Sequence, residues 1–153
     1  MRLTLGFIFS VTFLMLTGCF KEKRYENRLE GKRYIVAELT VGGNLITTGQ
    51  SNIILSFDNC NNKKEKCSGL WQRDGYTAAF YWKFDKRGKT FELSNKTAME
   101  YGSAQYNYVG LCYQCSGVYK VVSFESKTLR LQIESTNTAG YPGQNVLLRL
   151  NKL

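Results

Sequence analysis

From residue 31 onward, apolar side chains recur at every second position rather than at helical spacing. Tyr34 and Val36 open the pattern, and Ile53, Leu55 and Phe57 repeat it around Ile54, Ser56 and Asp58. Phe80, Trp82 and Phe84 follow, then Phe91 and Leu93, then Val118, Lys120, Val122 and Phe124, then Leu129, Leu131 and Ile133, and last Val146, Leu148 and Leu150. A period of two points alternate side chains to opposite faces, so each run predicts a strand with one buried face. Asp85-Lys86-Arg87-Gly88 is short and ends on a glycine suited to positive φ, which predicts a hairpin; Glu125-Ser126-Lys127-Thr128 predicts another. The Gly- and Thr-rich run from 40 to 52 reads as a loop or short strand, and no segment shows a helical face longer than two turns. The expected fold is all-β: a single antiparallel up-and-down barrel of about eight strands, since closure removes open sheet edges. Closure would pair the last strand, Val146 to Leu150, with the first, Arg33 to Leu39.

The N-terminus follows a different rule. After Met1 and Arg2, residues 3–16 form an apolar run of about 14 residues, short of the roughly 20 that a membrane-spanning helix needs. Leu16-Thr17-Gly18-Cys19 at its end resembles the lipobox of bacterial lipoproteins. That resemblance implies a cleaved signal peptide over 1–18 and acylation of Cys19. Phe20, standing where an Asp would signal inner-membrane retention, favours the outer membrane, facing the periplasm. Residues 19–30 alternate charges with few apolar positions and are expected to be a solvated tether, leaving 31–153 as one domain. Basic residues of such a tether beside anionic lipid contribute about 1 kcal/mol each.

Lys and Arg number 21 against 12 Asp and Glu, a formal net charge of +9, and only Arg2 of these basic residues falls in the leader. For an exported chain this charge points to anionic lipid head groups or envelope polysaccharide and away from nucleic acid. Besides Cys19 there are four cysteines, Cys60, Cys67, Cys112 and Cys115, an even set that in an oxidising compartment predicts two disulfides. The local pairs Cys60–Cys67 and Cys112–Cys115 are favoured, and crossed pairs stay open. A four-cysteine zinc site would have only one Cys-x-x-Cys knuckle instead of two. A redox motif at Cys112-Tyr113-Gln114-Cys115 would be expected to open a helix after a parallel strand.

Histidine is absent, which removes the commonest general base and metal ligand. The carboxylates are scattered singly among Lys and Arg, and Gly42-Gly43 lacks the lysine of a phosphate-binding loop. An enzymatic reading therefore rests on Cys112 and Cys115 alone, and the expectation is a monomeric, non-enzymatic protein without a cofactor. The bulky inward candidates Phe57, Phe80, Trp82, Phe84, Phe91 and Phe124 either line a cavity for a small apolar ligand or fill the barrel. Tyr101, Tyr106, Tyr108 and Tyr113 form a cluster near the cysteines suited to a contact surface.

Several phrases resemble the lipocalin-like lipoproteins of Gram-negative envelopes: Gly31-Lys32-Arg33-Tyr34, Ile54 to Phe57, Gly69-Leu70-Trp71, Gly88 to Leu93, and above all Tyr119 to Leu131. The resemblance spans most of residues 31–153 and implies a small antiparallel barrel that binds an apolar ligand or an envelope component. Asn95-Lys96-Thr97-Ala98-Met99 resembles the Thr-x-Met phrase of the META or heat-shock-lipoprotein-like domains, which implies a structural or inhibitory interaction protein as the alternative. A periplasmic thiol-redox protein is the third reading.

Overall fold

The computed structural model describes residues 22–47, 52–60, 66–85, 87–125 and 130–153. The signal peptide and acylation expected over residues 1–18 and at Cys19 lie outside the described residues. A helix α1 (22–29) precedes β1 (Lys32–Val41), β2 (Asn44–Thr47), β3 (Ile54–Phe57), β4 (Cys67–Arg73), β5 (Tyr76–Asp85) and β6 (Thr90–Asn95). Two short helices follow, α2 (Ala104–Val109) and α3 (Leu111–Gln114). The chain then runs through β7 (Gly117–Phe124), β8 (Leu131–Asn137) and β9 (Pro142–Lys152).

All pairings between these strands are antiparallel, in the order β2-β1-β3-β4-β5-β6-β7-β8-β9, and β1 also pairs with β9. The expected eight-stranded barrel is thus closed, with Val36 opposite Leu150, Leu39 opposite Leu148 and Val41 opposite Val146 at the seam. The ninth strand, β2, extends β1 past the barrel as a short hairpin. The Asp85–Thr90 hairpin forms as the sequence predicts, with Arg87 and Gly88 both at positive φ.

Tyr34, Val36, Leu55, Phe57, Phe80, Trp82, Phe84, Phe91, Leu93, Leu131, Ile133, Val146, Leu148 and Leu150 are all buried inside the barrel. Charged residues pair across strands on the outer face: Arg149 with Glu38 at 2.6 Å over the closure seam, Lys83 with Glu92 at 3.6 Å and Lys120 with Glu134 at 3.7 Å. Exposed pairs of this kind contribute about 0.2–1 kcal/mol each, so the apolar interior dominates stability. An apolar inside with a charged outside is the inverse of a membrane-spanning barrel.

The alternation breaks at β-bulges. In β1 the register shifts between Val36 and Glu38, so the inward set passes from Tyr34 and Val36 to Leu39 and Val41. In β7 a shift between Val121 and Ser123 separates inward Tyr119 and Val121 from inward Phe124. Val118, Lys120 and Val122 consequently face solvent, which corrects the expectation that they share a face with Phe124. One extra residue in a strand reverses the phase of everything beyond it.

Residues 22–29 are also a correction, because they are no solvated tether. Tyr25 and Leu29, at i and i+4, share one face of α1 and close one mouth of the barrel. Leu29 is fully buried, and the Tyr25 ring lies 5.4 Å from Phe84 and 5.1 Å from Phe124. The end of α1 is tied down by side-chain donors. Lys32 Nζ donates to the carbonyls of Asn27 and Arg28, and Tyr34 Oη donates to that of Arg28. These satisfy carbonyls that a helix C-terminus leaves open.

Candidate functional site

At the mouth opposite α1, helices α2 and α3 plug the barrel with Val109, Cys112 and Cys115, all fully buried. Ser103 caps α2 by accepting a hydrogen bond from Tyr106 N at 3.1 Å, and Gln105 Nε2 donates to the Thr77 carbonyl of β5. Tyr108 stacks on Tyr76, with ring centroids 4.6 Å apart. The end of β6 is pinned just as firmly. Lys96 and Thr97 N–H both donate to Ala79 O, Ala79 N donates to Thr97 Oγ1, and Asn95 N donates to Ser116 Oγ.

Between this pinned segment and the helices opens a cleft of about 390 Å³, lined by Asn95, Thr97, Ala98, Met99, Tyr101, Tyr106 and Tyr113. None of the lining side chains is charged. Tyr101 is 85 % exposed and Tyr113 50 %, and Tyr101 leans on Tyr106 with centroids 4.9 Å apart. Gln114 Nε2 donates to Tyr106 Oη while its Oε1 accepts from Tyr141, which fixes the Tyr106 ring. Asn95 Nδ2 donates to the Thr97 carbonyl at 2.6 Å, and this orients the amide. Its Oδ1 is left buried with no hydrogen-bond partner among the described residues. A buried acceptor without a donor costs about 1–3 kcal/mol.

The residues expected to hold an apolar ligand inside the barrel are brought together, but against one another. The Phe57 ring lies 5.6 Å from Phe80, 5.3 Å from Trp82 and 6.5 Å from Phe91. Phe84 lies 5.0 Å from Phe91 and 6.2 Å from Phe124. These edge and offset contacts are how aromatic rings pack in a core. Of the tyrosine cluster, Tyr101, Tyr106 and Tyr113 line the same cleft, whereas Tyr108 stacks on Tyr76 of β5. Asn95 and Met99 were missed as lining residues, because no pattern marks where the strand end at Asn95 will meet a helix pair that begins at Ala104.

Of the two expected disulfides, Cys60–Cys67 is formed, with Cα atoms 5.0 Å apart, and staples the β3–β4 connection. The expected Cys112–Cys115 bridge is not formed, since both residues are buried free thiols on the turn of α3, packed into the plug. Burial pushes the Cys112 thiol up to about 12 and raises that of Cys115 as well, with Cys112 adding to the effect. Burial also raises the Tyr119 hydroxyl, which donates to the Cys115 carbonyl, and the nearby thiols add to that shift. At neutral pH these thiols are protonated, so neither supplies a thiolate nucleophile. With Cys60 and Cys67 bridged, no four-cysteine metal set exists.

No protein-family model matches this chain, and comparison with curated proteins and with solved structures finds no match. Among the described residues no helix is long and apolar enough to cross a membrane.

Proposed function

We propose that this chain is a lipid-anchored, lipocalin-like binding protein of a bacterial envelope. Acylated Cys19 holds it to the outer membrane on the periplasmic side, and it works as a monomer without catalysis. Its ligand site is the tyrosine-lined cleft beside α2 and α3, not the barrel interior. The ligand is a small, uncharged molecule with one flat apolar face. The observation that carries this reading is the neutral, tyrosine-lined cleft, set against an interior whose rings pack on each other. A volume of about 390 Å³ is within the usual span for small-molecule sites, roughly 300–1,000 Å³. The protonated, buried thiols supply no support for a thiol-redox role.

Saturation-transfer NMR with 2-naphthol, a flat uncharged probe carrying one hydroxyl donor, tests the site. The double variant Tyr101→Ala/Tyr113→Ala is expected to bind at least about fivefold more weakly, because two ring contacts at about 0.5–1.5 kcal/mol each are lost. Equal binding by wild type and the double variant would remove the cleft from the account. The anchor is tested separately by the intact mass of the chain purified from membranes: an unmodified N-terminus released to the medium contradicts it.

A further inference from the structure

The mouth closed by α1 carries a second cleft, of about 320 Å³, bounded by Tyr25, by residues Gly88–Thr90 and by residues Lys120–Ser123. Lys89 and Lys120 both line it, and the Lys120 side chain is 75 % exposed although its Nζ lies 3.7 Å from Glu134. Val118 and Val122, 59 % and 45 % exposed by the register of β7, flank Lys120 on the outer face. Lys23, Arg24, Arg33 and Arg87 are exposed nearby on α1, β1 and the β5–β6 turn. Acidic residues stand at this end too, the exposed Asp58 after β3 among them. Glu22, Glu26 and Glu30 run along one stripe of α1, where burial and mutual repulsion raise the Glu26 carboxyl pKa. Asp85 pairs with Lys83 and Glu125 with Arg130.

The chain's path adds a constraint. Cys19 precedes the first described residue of α1 by three positions, a reach of at most about 11 Å even fully extended. Because α1 is bonded to the barrel through Lys32, Tyr34 and Arg28, a membrane anchor at Cys19 holds this mouth, not the tyrosine cleft, near the bilayer.

We infer that the α1 mouth is a seat for an anionic lipid surface, with the phosphate of an acidic phospholipid head group in the cleft lined by Lys89 and Lys120. The inference rests on the anchoring reading for its geometry. Exposed valines beside basic side chains suit the boundary between head groups and acyl chains, and each Lys or Arg near such a surface favours it by about fivefold. The tyrosine cleft at the opposite mouth is then turned away from the membrane, open to ligands in the aqueous space.

Amine-labelling footprints of the full chain, mixed with vesicles of three parts phosphatidylcholine to one of phosphatidylglycerol, test the seat. Lys96, exposed at the opposite mouth over the Tyr81 ring, is the internal reference. Lys89 and Lys120 are expected to be labelled at least about threefold more slowly than in pure phosphatidylcholine, with Lys96 unchanged and the difference abolished when about 1 M salt shortens screening to about 3 Å. Equal labelling in both vesicles overturns the seat, and so does the same protection by millimolar inorganic phosphate alone, which would make the cleft a soluble-anion site. Lys23, exposed on α1, is expected to be slowed in the acidic vesicles as well, and the Lys89→Gln/Lys120→Gln variant should lose that slowing; retaining it counts against the cleft. Intact mass reports acylation independently: protection without acylation keeps the seat and removes the anchor, whereas acylation without protection does the reverse.

Discussion

Gly69 faces Phe80 across the β4–β5 ladder, and a methyl group there would lie 2.4 Å from the Phe80 ring and 2.7 Å from the Ser56 carbonyl. No side chain fits between β3, β4 and that ring, so the absence of a Cβ is what lets Phe80 reach Phe57. Gly69→Ala is expected to destabilise the barrel by about 1–3 kcal/mol, as overpacking in closed cores does, read as a lower urea midpoint at unchanged slope. A midpoint equal to wild type would show that the ring can move aside. Gly88 answers two demands at once, a positive φ in the hairpin and contact with Tyr25, whose ring would sit 2.8 Å from an added Cβ. Cys112, Cys115, Tyr34 and Tyr119 make the pH response one-sided. Their protonated forms are held by burial, so their folded pKa values exceed the unfolded ones, about 8.5 for Cys and 10 for Tyr. Stability from these groups is complete below about pH 8.5 and falls as pH rises toward the raised values, by up to about 1.4 kcal/mol per pH unit for each group. Urea unfolding should therefore be flat from neutral pH to mild alkali and weaken steeply beyond it; stability that holds or grows through that alkaline range contradicts the burial of these groups.

At the level of elements, the strands were legible because burial of one face forces a period of two, and the Val146–Leu150 strand pairs with β1 as its pattern implies. The bulges were not, because an inserted residue leaves no mark except a changed phase, and in β7 the phase before the bulge belongs to Tyr119 instead of Val118. Nor was α1 legible: with Tyr25 and Leu29 its only apolar residues in eight, its local composition is that of a solvated segment, and only the barrel mouth gives those two side chains a partner. The tyrosine cleft was half visible, as a cluster of rings without the strand end that completes it. The Cys60–Cys67 staple was readable from spacing, and it closes a short loop with a sequence separation of 7. Loop-closure entropy for such a ring is about 2 kcal/mol, so Cys60→Ala/Cys67→Ala should lower unfolding free energy by about that amount and leave the naphthol site intact. Loss of the cleft along with the bridge would mean that the two barrel ends are coupled.

For the whole molecule, the proposed function divides the work between the two mouths. One is closed by α1 and lies next to the expected point of lipid attachment; the other is closed by α2 and α3 and presents a neutral aromatic cleft. Between them the rings of Phe57, Trp82, Phe84 and Phe91 form a packed interior, so the proposed site lies at the rim of the barrel and not within it. This division explains why a meander pattern can declare a closed barrel so plainly and its function so little. The pattern encodes the inside, whereas the site is assembled outside it from a strand end and a helix pair. The most direct test is a crystal structure of the protein soaked with 2-naphthol. The predicted result is ring density between Tyr101, Tyr106 and Tyr113. Density among Phe57, Trp82 and Phe91 inside the barrel, with the cleft empty, would contradict the account.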